Sequence, residues 1–93
     1  MKVRVSCDDK YESQKLASLI FIKDSHETYI KKILNVIENE VVVELKDKSA
    51  HSVVLKDNDQ VEKFVDFIQS VIEKEHKIIS ANIFEDDVEI TKE

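Results

Sequence analysis

Apolar residues recur along this chain with two periods, near two and near 3.6, and the period at each place predicts the element. Val3, Val5 and Cys7 alternate with polar residues and predict a strand. Residues 8–15 keep neither period; they read either as a long loop or as the start of a short helix reaching Leu19. The apolar run at residues 18–22 predicts a second strand. Tyr29, Ile30, Ile33, Val36 and Ile37 share one face at the helical period, and Asp24 and Glu27 have capping-box spacing, so residues 25–39 are predicted to be a helix. Residues 41–46 and 52–56 alternate again, divided by the turn signal Asp47-Lys48-Ser49-Ala50. Val61, Phe64, Val65, Phe67, Ile68, Val71 and Ile72 form a broad apolar stripe that predicts a helix over residues 58–75, with Asp57 and Gln60 at capping-box spacing. Strands at 78–84 and 88–91, separated by Glu85-Asp86-Asp87, complete the reading.

Taken in order, these elements make a ββα unit twice, closed by a third hairpin. The strand opening at Ser18 and a helix ending in Asn35-Val36-Ile37-Glu38-Asn39-Glu40 parallel the strand opening at Ser52 and a helix ending in Ser70-Val71-Ile72-Glu73-Lys74-Glu75. The offset is 34 residues at the serine and 35 at the helix end. The fold class expected is α+β, a single domain over residues 1–93. Its antiparallel sheet has five or six strands with both helices on one face, in a ββα-ββα-ββ pseudo-repeat.

Composition narrows the function. A 93-residue chain buries roughly 60–65% of its unfolded surface, enough for one core with little room left for a deep cleft. Glycine and proline are absent, where average usage gives about 11. Phosphate-cradling loops of the nucleotide-binding kind are thereby excluded, because they need glycine for close backbone approach. Turns with positive φ are expected to use Asn, Asp or Lys. With 13 lysines and 11 isoleucines against three alanines and one arginine, the usage points to an AT-rich genome, such as a low-GC bacterium or its phages and mobile elements. No apolar run approaches the ~20 residues of a membrane helix, and no signal-peptide pattern follows Met1, so a cytoplasmic location without membrane contact is expected.

Candidate chemistry is sparse. Cys7, the only cysteine, is expected to be a buried inert thiol with Asp8 and Asp9 raising its pKa. His26, His51 and His76 lie far apart, without helical zinc-pair spacing, and are expected at the surface. Ser25, His26 and Asp24 are sequence neighbours that point in different directions, which rules out a triad. Asp8-Asp9 and Glu85-Asp86-Asp87 lack calcium-loop spacing. No catalytic residue, metal or cofactor is therefore expected.

Charge and surface apolarity carry the remaining signal. The net charge of −6 lies in residues 47–93. Asp59, Glu62, Asp66 and Glu73 form a ridge on the second helix, and Glu85, Asp86 and Asp87 extend the negative region. Such a surface disfavours direct nucleic-acid binding and suits a basic protein, in the manner of an acidic DNA-mimic inhibitor. The outer face of the sheet is expected to carry Val42 and Val54 together with either Leu19 and Phe21 or Ile20 and Ile22, an apolar patch for homodimerisation or a protein partner. The leading expectation is a small acidic non-enzymatic interaction module contacting its partner through Leu19, Phe21, Val42 and Val54. The alternative is the acidic inhibitor.

Overall fold

Two aspartates start the two helices. Asp9 and Asp57 are both extended, and their side chains accept the N–H groups of Glu12 (2.9 Å) and Gln60 (3.0 Å). Each thereby satisfies one of the donors a helix start leaves free. The structure, a computed structural model, describes residues 1–93. Its elements are β1 (Lys2–Ser6), α1 (Lys10–Ile20), β2 (Ile30–Ile37), β3 (Glu40–Leu45), β4 (Ala50–Val54), α2 (Asn58–Lys74), β5 (Ile78–Phe84) and β6 (Asp87–Lys92).

The strands form two antiparallel three-stranded sheets rather than the single sheet expected, in the orders β1-β6-β5 and β2-β3-β4. They meet at one bridge, Cys7 opposite Leu55, where Asp8 N–H donates to Val54 O (2.9 Å) and Lys56 N–H to Ser6 O (3.0 Å). Nineteen buried apolar residues from both helices and the inward positions of the strands make one core.

The chain does repeat itself, with a different unit and offset from those expected. Its element order is βαββ followed by βαββ. Asp9 corresponds to Asp57 and Ile30 to Ile78, 48 residues on; Val41 corresponds to Val88, 47 residues on. The bonds repeat too. Ser6 N–H donates to Gln60 Oε1 (2.8 Å), and Val54 N–H, the corresponding donor, to Glu12 Oε1 (2.9 Å). Cys7 N–H donates to Asp86 O, and Leu55 N–H to Asn39 O. These paired bonds relate the halves by an approximate twofold axis at the Cys7–Leu55 bridge. The 34-residue offset instead aligned the end of α1, a loop and β2 with β4 and α2.

Two predicted elements exchange character. Residues 18–22 belong largely to α1, whose Ser13, Leu16, Leu19 and Ile20 are buried at helical spacing. Residues 25–39 are a loop followed by β2. Here Ile30, Ile33 and Val36 share the side of the sheet of their partners Leu45, Val43 and Val41, with Ile30 buried, Ile33 half-buried and Val36 exposed toward the strand's end. Register shifts between Ile30 and Lys32 and between Ile33 and Asn35 each insert a residue, so the apolar spacing is three instead of two. A twice-bulged strand thus imitates the period of a helix.

The turns also depart from expectation. His26, Glu38, Lys48, Glu75 and Glu85 have φ between 53° and 74°, and only Lys48 is of an expected type. Glu38 and Glu85 open the equivalent two-residue hairpin loops, while Glu75 caps α2 and donates its N–H to Val71 O. Hairpin length and helix termination impose the conformation, at about 1 kcal/mol per residue.

Candidate interaction surface

Of the nine large apolar residues that remain exposed, six lie on two strands: Leu34, Val36 and Ile37 on β2, and Ile79, Ile83 and Phe84 on β5. That concentration matters because β2 and β5 are the outer strands of their sheets, each with one edge unpaired. The twofold axis makes them counterparts, yet they are built differently. β2 has two bulges and carries Lys31 and Lys32, the latter 3.9 Å from Glu44. Bulges and lysines are the usual means of blocking an edge. β5 has a single irregularity, between Ile78 and Ser80, and no charged residue along Ile-Ile-Ser-Ala-Asn-Ile-Phe.

The pairing register shows which backbone groups of β5 are free. Every residue from Ser80 to Phe84 has a partner on β6, and because Asp86 O and Lys92 N–H bond to the β1 side, it is Asp87, Glu89 and Thr91 that exchange bonds with Phe84, Asn82 and Ser80. Alternation along the ladder then turns the N–H and C=O groups of Ala81 and Ile83 toward the open edge. Ile78 N–H is already taken there, donating to His26 O (2.7 Å). On the outer face beside the edge, the Arg4 guanidinium lies 4.8 Å from the centre of the Phe84 ring.

The four residues expected to form an apolar sheet face do not come together. Val42 and Val54 do share the outer face of β3 and β4, both half-buried. Leu19, however, is buried in the core on α1, and Phe21 follows that helix, its ring 5.7 Å from His26. The reason is the exchanged element: a helix end cannot contribute to a sheet face. The other pair considered, Ile20 and Ile22, fails likewise, with Ile20 in the core.

The acidic residues divide between two roles. Asp59, Glu62, Asp66 and Glu73 are exposed along α2, and none is in an ion pair. Glu85 is also exposed. Asp86 and Asp87 are half-buried, and Asp87 is a structural anchor: it accepts from the Ser6 hydroxyl (2.6 Å) and the Arg4 guanidinium (2.9 Å). The Ser6 bond foremost, then Arg4, holds its carboxyl below the usual range. Because the folded value lies below the unfolded one of about 3.9, the carboxylate's contribution is complete above roughly pH 4 and is lost as pH falls through the folded value. Urea titrations between about pH 4 and 2 are expected to show wild type losing stability more steeply than Asp87→Asn. Parallel acid limbs would remove this role.

Burial, reinforced by Glu12, Asp87, Asp86 and Asp9, pushes the Cys7 thiol up to about 12. At pH 8 its thiolate is rarer than that of a free cysteine by a factor on the order of a thousand. Alkylation of the native protein is therefore expected to be at least that much slower than in urea; comparable rates would show that the bridge region opens. No group of three His, Cys, Asp or Glu side chains is placed to hold a metal ion.

One cleft of about 440 Å³ lies between the loop before β2 and the end of α2. Glu27 crosses it, 3.4 Å from Lys46 and 3.5 Å from Lys77. Lys46 first, then Lys77, keeps this carboxyl below its ordinary range, so it serves as an ionised anchor and not as a proton donor near neutral pH. His76 also lines the cleft; it is half-buried, with Nδ1 enclosed and unpartnered, whereas a surface position was expected. His26 and His51 are exposed as expected, and no two of the histidines come together at the cleft.

The β5 edge was missed in the sequence, although a signal existed: seven uncharged residues between Lys77 and Glu85 in a chain that is 37% charged. No helix is long and apolar enough to cross a membrane. In comparisons with family models, curated proteins and solved structures, nothing matches this chain.

Proposed function

We propose that this chain is a small acidic, non-enzymatic interaction module of the cytoplasm of a low-GC bacterium, its phage or a mobile element, and that it engages a protein through the open edge of β5. One observation carries the reading: Ile79, Ile83 and Phe84 are exposed on an uncharged edge strand with one bulge, while the counterpart strand has a second bulge and carries two lysines. An added strand would bond to Ala81 and Ile83 and cover this apolar surface. The contact residues are accordingly moved from the sheet face to its edge. The test compares wild type with Ile79→Lys plus Ile83→Lys, and with Val42→Glu plus Val54→Glu. Self-association is followed by light scattering and partner retention on the immobilised chain. Loss in the edge variant alone is expected; an edge variant that binds as wild type does would defeat the proposal.

A second reading rests on the four unpaired carboxylates of α2, which suit an inhibitor of a basic nucleic-acid-binding protein. It requires affinity that falls steeply between about 50 and 500 mM salt and is lost on charge reversal of Glu62, Asp66 and Glu73. Binding indifferent to salt would dismiss it.

A further inference from the structure

The seam between α2 and the end of β2 opens into a groove of about 340 Å³, and we infer that it receives one large apolar side chain from a basic segment of another protein. This rests on the second reading above, in which α2 meets a basic partner, and gives that contact its place and chemistry.

The groove has an apolar floor between two acidic banks. Asn58, Val61, Glu62 and Val65 come from α2 at the spacing of a single helix face, and Val36 and Glu38 come from the end of β2 and the turn after it. The three valines form the floor. Val61 is almost enclosed, Val65 is half-buried and Val36 is exposed. Glu62 stands on the helical bank and Glu38 on the strand side; both are exposed and neither is in an ion pair. Asp59 and Asp66 continue the helical bank at one-turn spacing. No basic residue lines the groove. A leucine or isoleucine seated on the valines places its own neighbours between these carboxylates, and lysine or arginine neighbours answer both banks at once.

The corresponding seam across the twofold axis is tied by a hydrogen bond instead. Val61 corresponds to Ser13 and Glu38 to Glu85. Ser13 is fully buried, and its hydroxyl donates to Glu85 O (2.6 Å), fastening α1 to the β5–β6 turn. Valine at position 61 has no donor with which to fasten α2 to Glu38 in the same way. The charge differs as well: Gln14 stands in the place of Glu62, and Lys10 in the place of Asn58. An apolar groove with acidic banks therefore belongs to one half only. It shares no residue with the β5 edge, so the two contacts are separable by substitution.

The probe is a short lysine-rich peptide with one central leucine, beside a twin with alanine in place of the leucine, both followed by fluorescence anisotropy. Wild type is expected to bind the leucine peptide about tenfold more tightly, through burial of the larger side chain. Val65→Gln keeps the net charge and is expected to erase this preference while leaving the affinity for the alanine twin unchanged. Should Val65→Gln fail to fold, Val36→Gln asks the same question at an exposed strand position. Glu38→Gln plus Glu62→Gln is expected to weaken both peptides about tenfold or more and to flatten their salt dependence. Ile79→Ser plus Ile83→Ser, on the β5 edge, is expected to leave both affinities as they are.

Equal affinity for the two peptides would overturn the inference, as would a leucine preference that survives both Val65→Gln and Val36→Gln. Salt-sensitive binding of the two peptides alike would then keep the second reading and remove only the groove; binding of neither would remove both. Self-association that the glutamine variants abolish, with no peptide bound, would put a second copy in the groove and overturn the inference as well.

Discussion

Phe64→Ala is expected to destabilise the fold by about 3–5 kcal/mol, a large part of the roughly 5–14 kcal/mol available to a domain of this size. Phe64 heads the fully buried side chains by volume and has no exposed surface. It lies on the inner face of α2, and its counterpart across the twofold axis, Leu16 on α1, is equally enclosed. Truncating the ring removes its transfer energy and leaves a cavity that the strands can close only in part. In urea the midpoint is expected to fall by about 2 M. Phe64→Leu keeps most of the volume and is expected to cost under about 1.5 kcal/mol. A loss below about 1 kcal/mol for the alanine variant would mean that the ring does not fill the core as described.

Breaking the two bonds that cross the seam is expected to have the second-largest effect. Glu12 is buried at the start of α1 and accepts Val54 N–H of the other half, while Gln60 on α2 accepts Ser6 N–H. Replacing either acceptor by alanine leaves a half-buried backbone donor without a partner, at about 1–3 kcal/mol each. The two bonds flank the same bridge, so the double variant is expected to depart from the sum of the singles by about 0.5 kcal/mol or more. Glu12→Gln is the instructive control. It keeps the acceptor and gives one half the residue found in the other, losing only the partly exposed pair with Lys15 at 3.2 Å. Its expected cost is at most about 1 kcal/mol. A loss as large as that of Glu12→Ala would put the stabilisation in the charge instead of the backbone bond.

The elements that were legible kept a pure period. α2 was visible from its wide apolar stripe and from Asp57 and Gln60; β3 and β4 were visible from alternation about the Asp47-Lys48-Ser49-Ala50 turn. β2 was misread because its bulges place Ile30, Ile33 and Val36 at intervals of three, and a bulge becomes evident only once the partner strand is known. α1 was legible in part: a short helix starting within residues 8–15 and reaching Leu19 was one of the two readings and is the one found, but the apolar run at residues 18–22 read as a strand, although Asp9 and Glu12 have the same spacing as Asp57 and Gln60. The exposure of Asp59, Glu62, Asp66 and Glu73 was legible, because a helix projects its face by simple rotation. The β5 edge was not, because strand order depends on long-range pairing: β1 joins β6 from the far end of the chain.

The meeting of the termini has one further consequence. Lys92 N–H donates to Met1 O (2.8 Å), as Leu45 N–H donates to Ser49 O (2.9 Å) at the junction between the halves. The chain ends thus occupy the place of a hairpin whose loop is missing. A permuted chain that begins at Ser49, passes from Glu93 through a short linker to Met1 and finishes at Lys48 would keep every strand pairing and lose only one turn. The order in which the ribosome makes the two halves is interchangeable as far as the finished architecture is concerned.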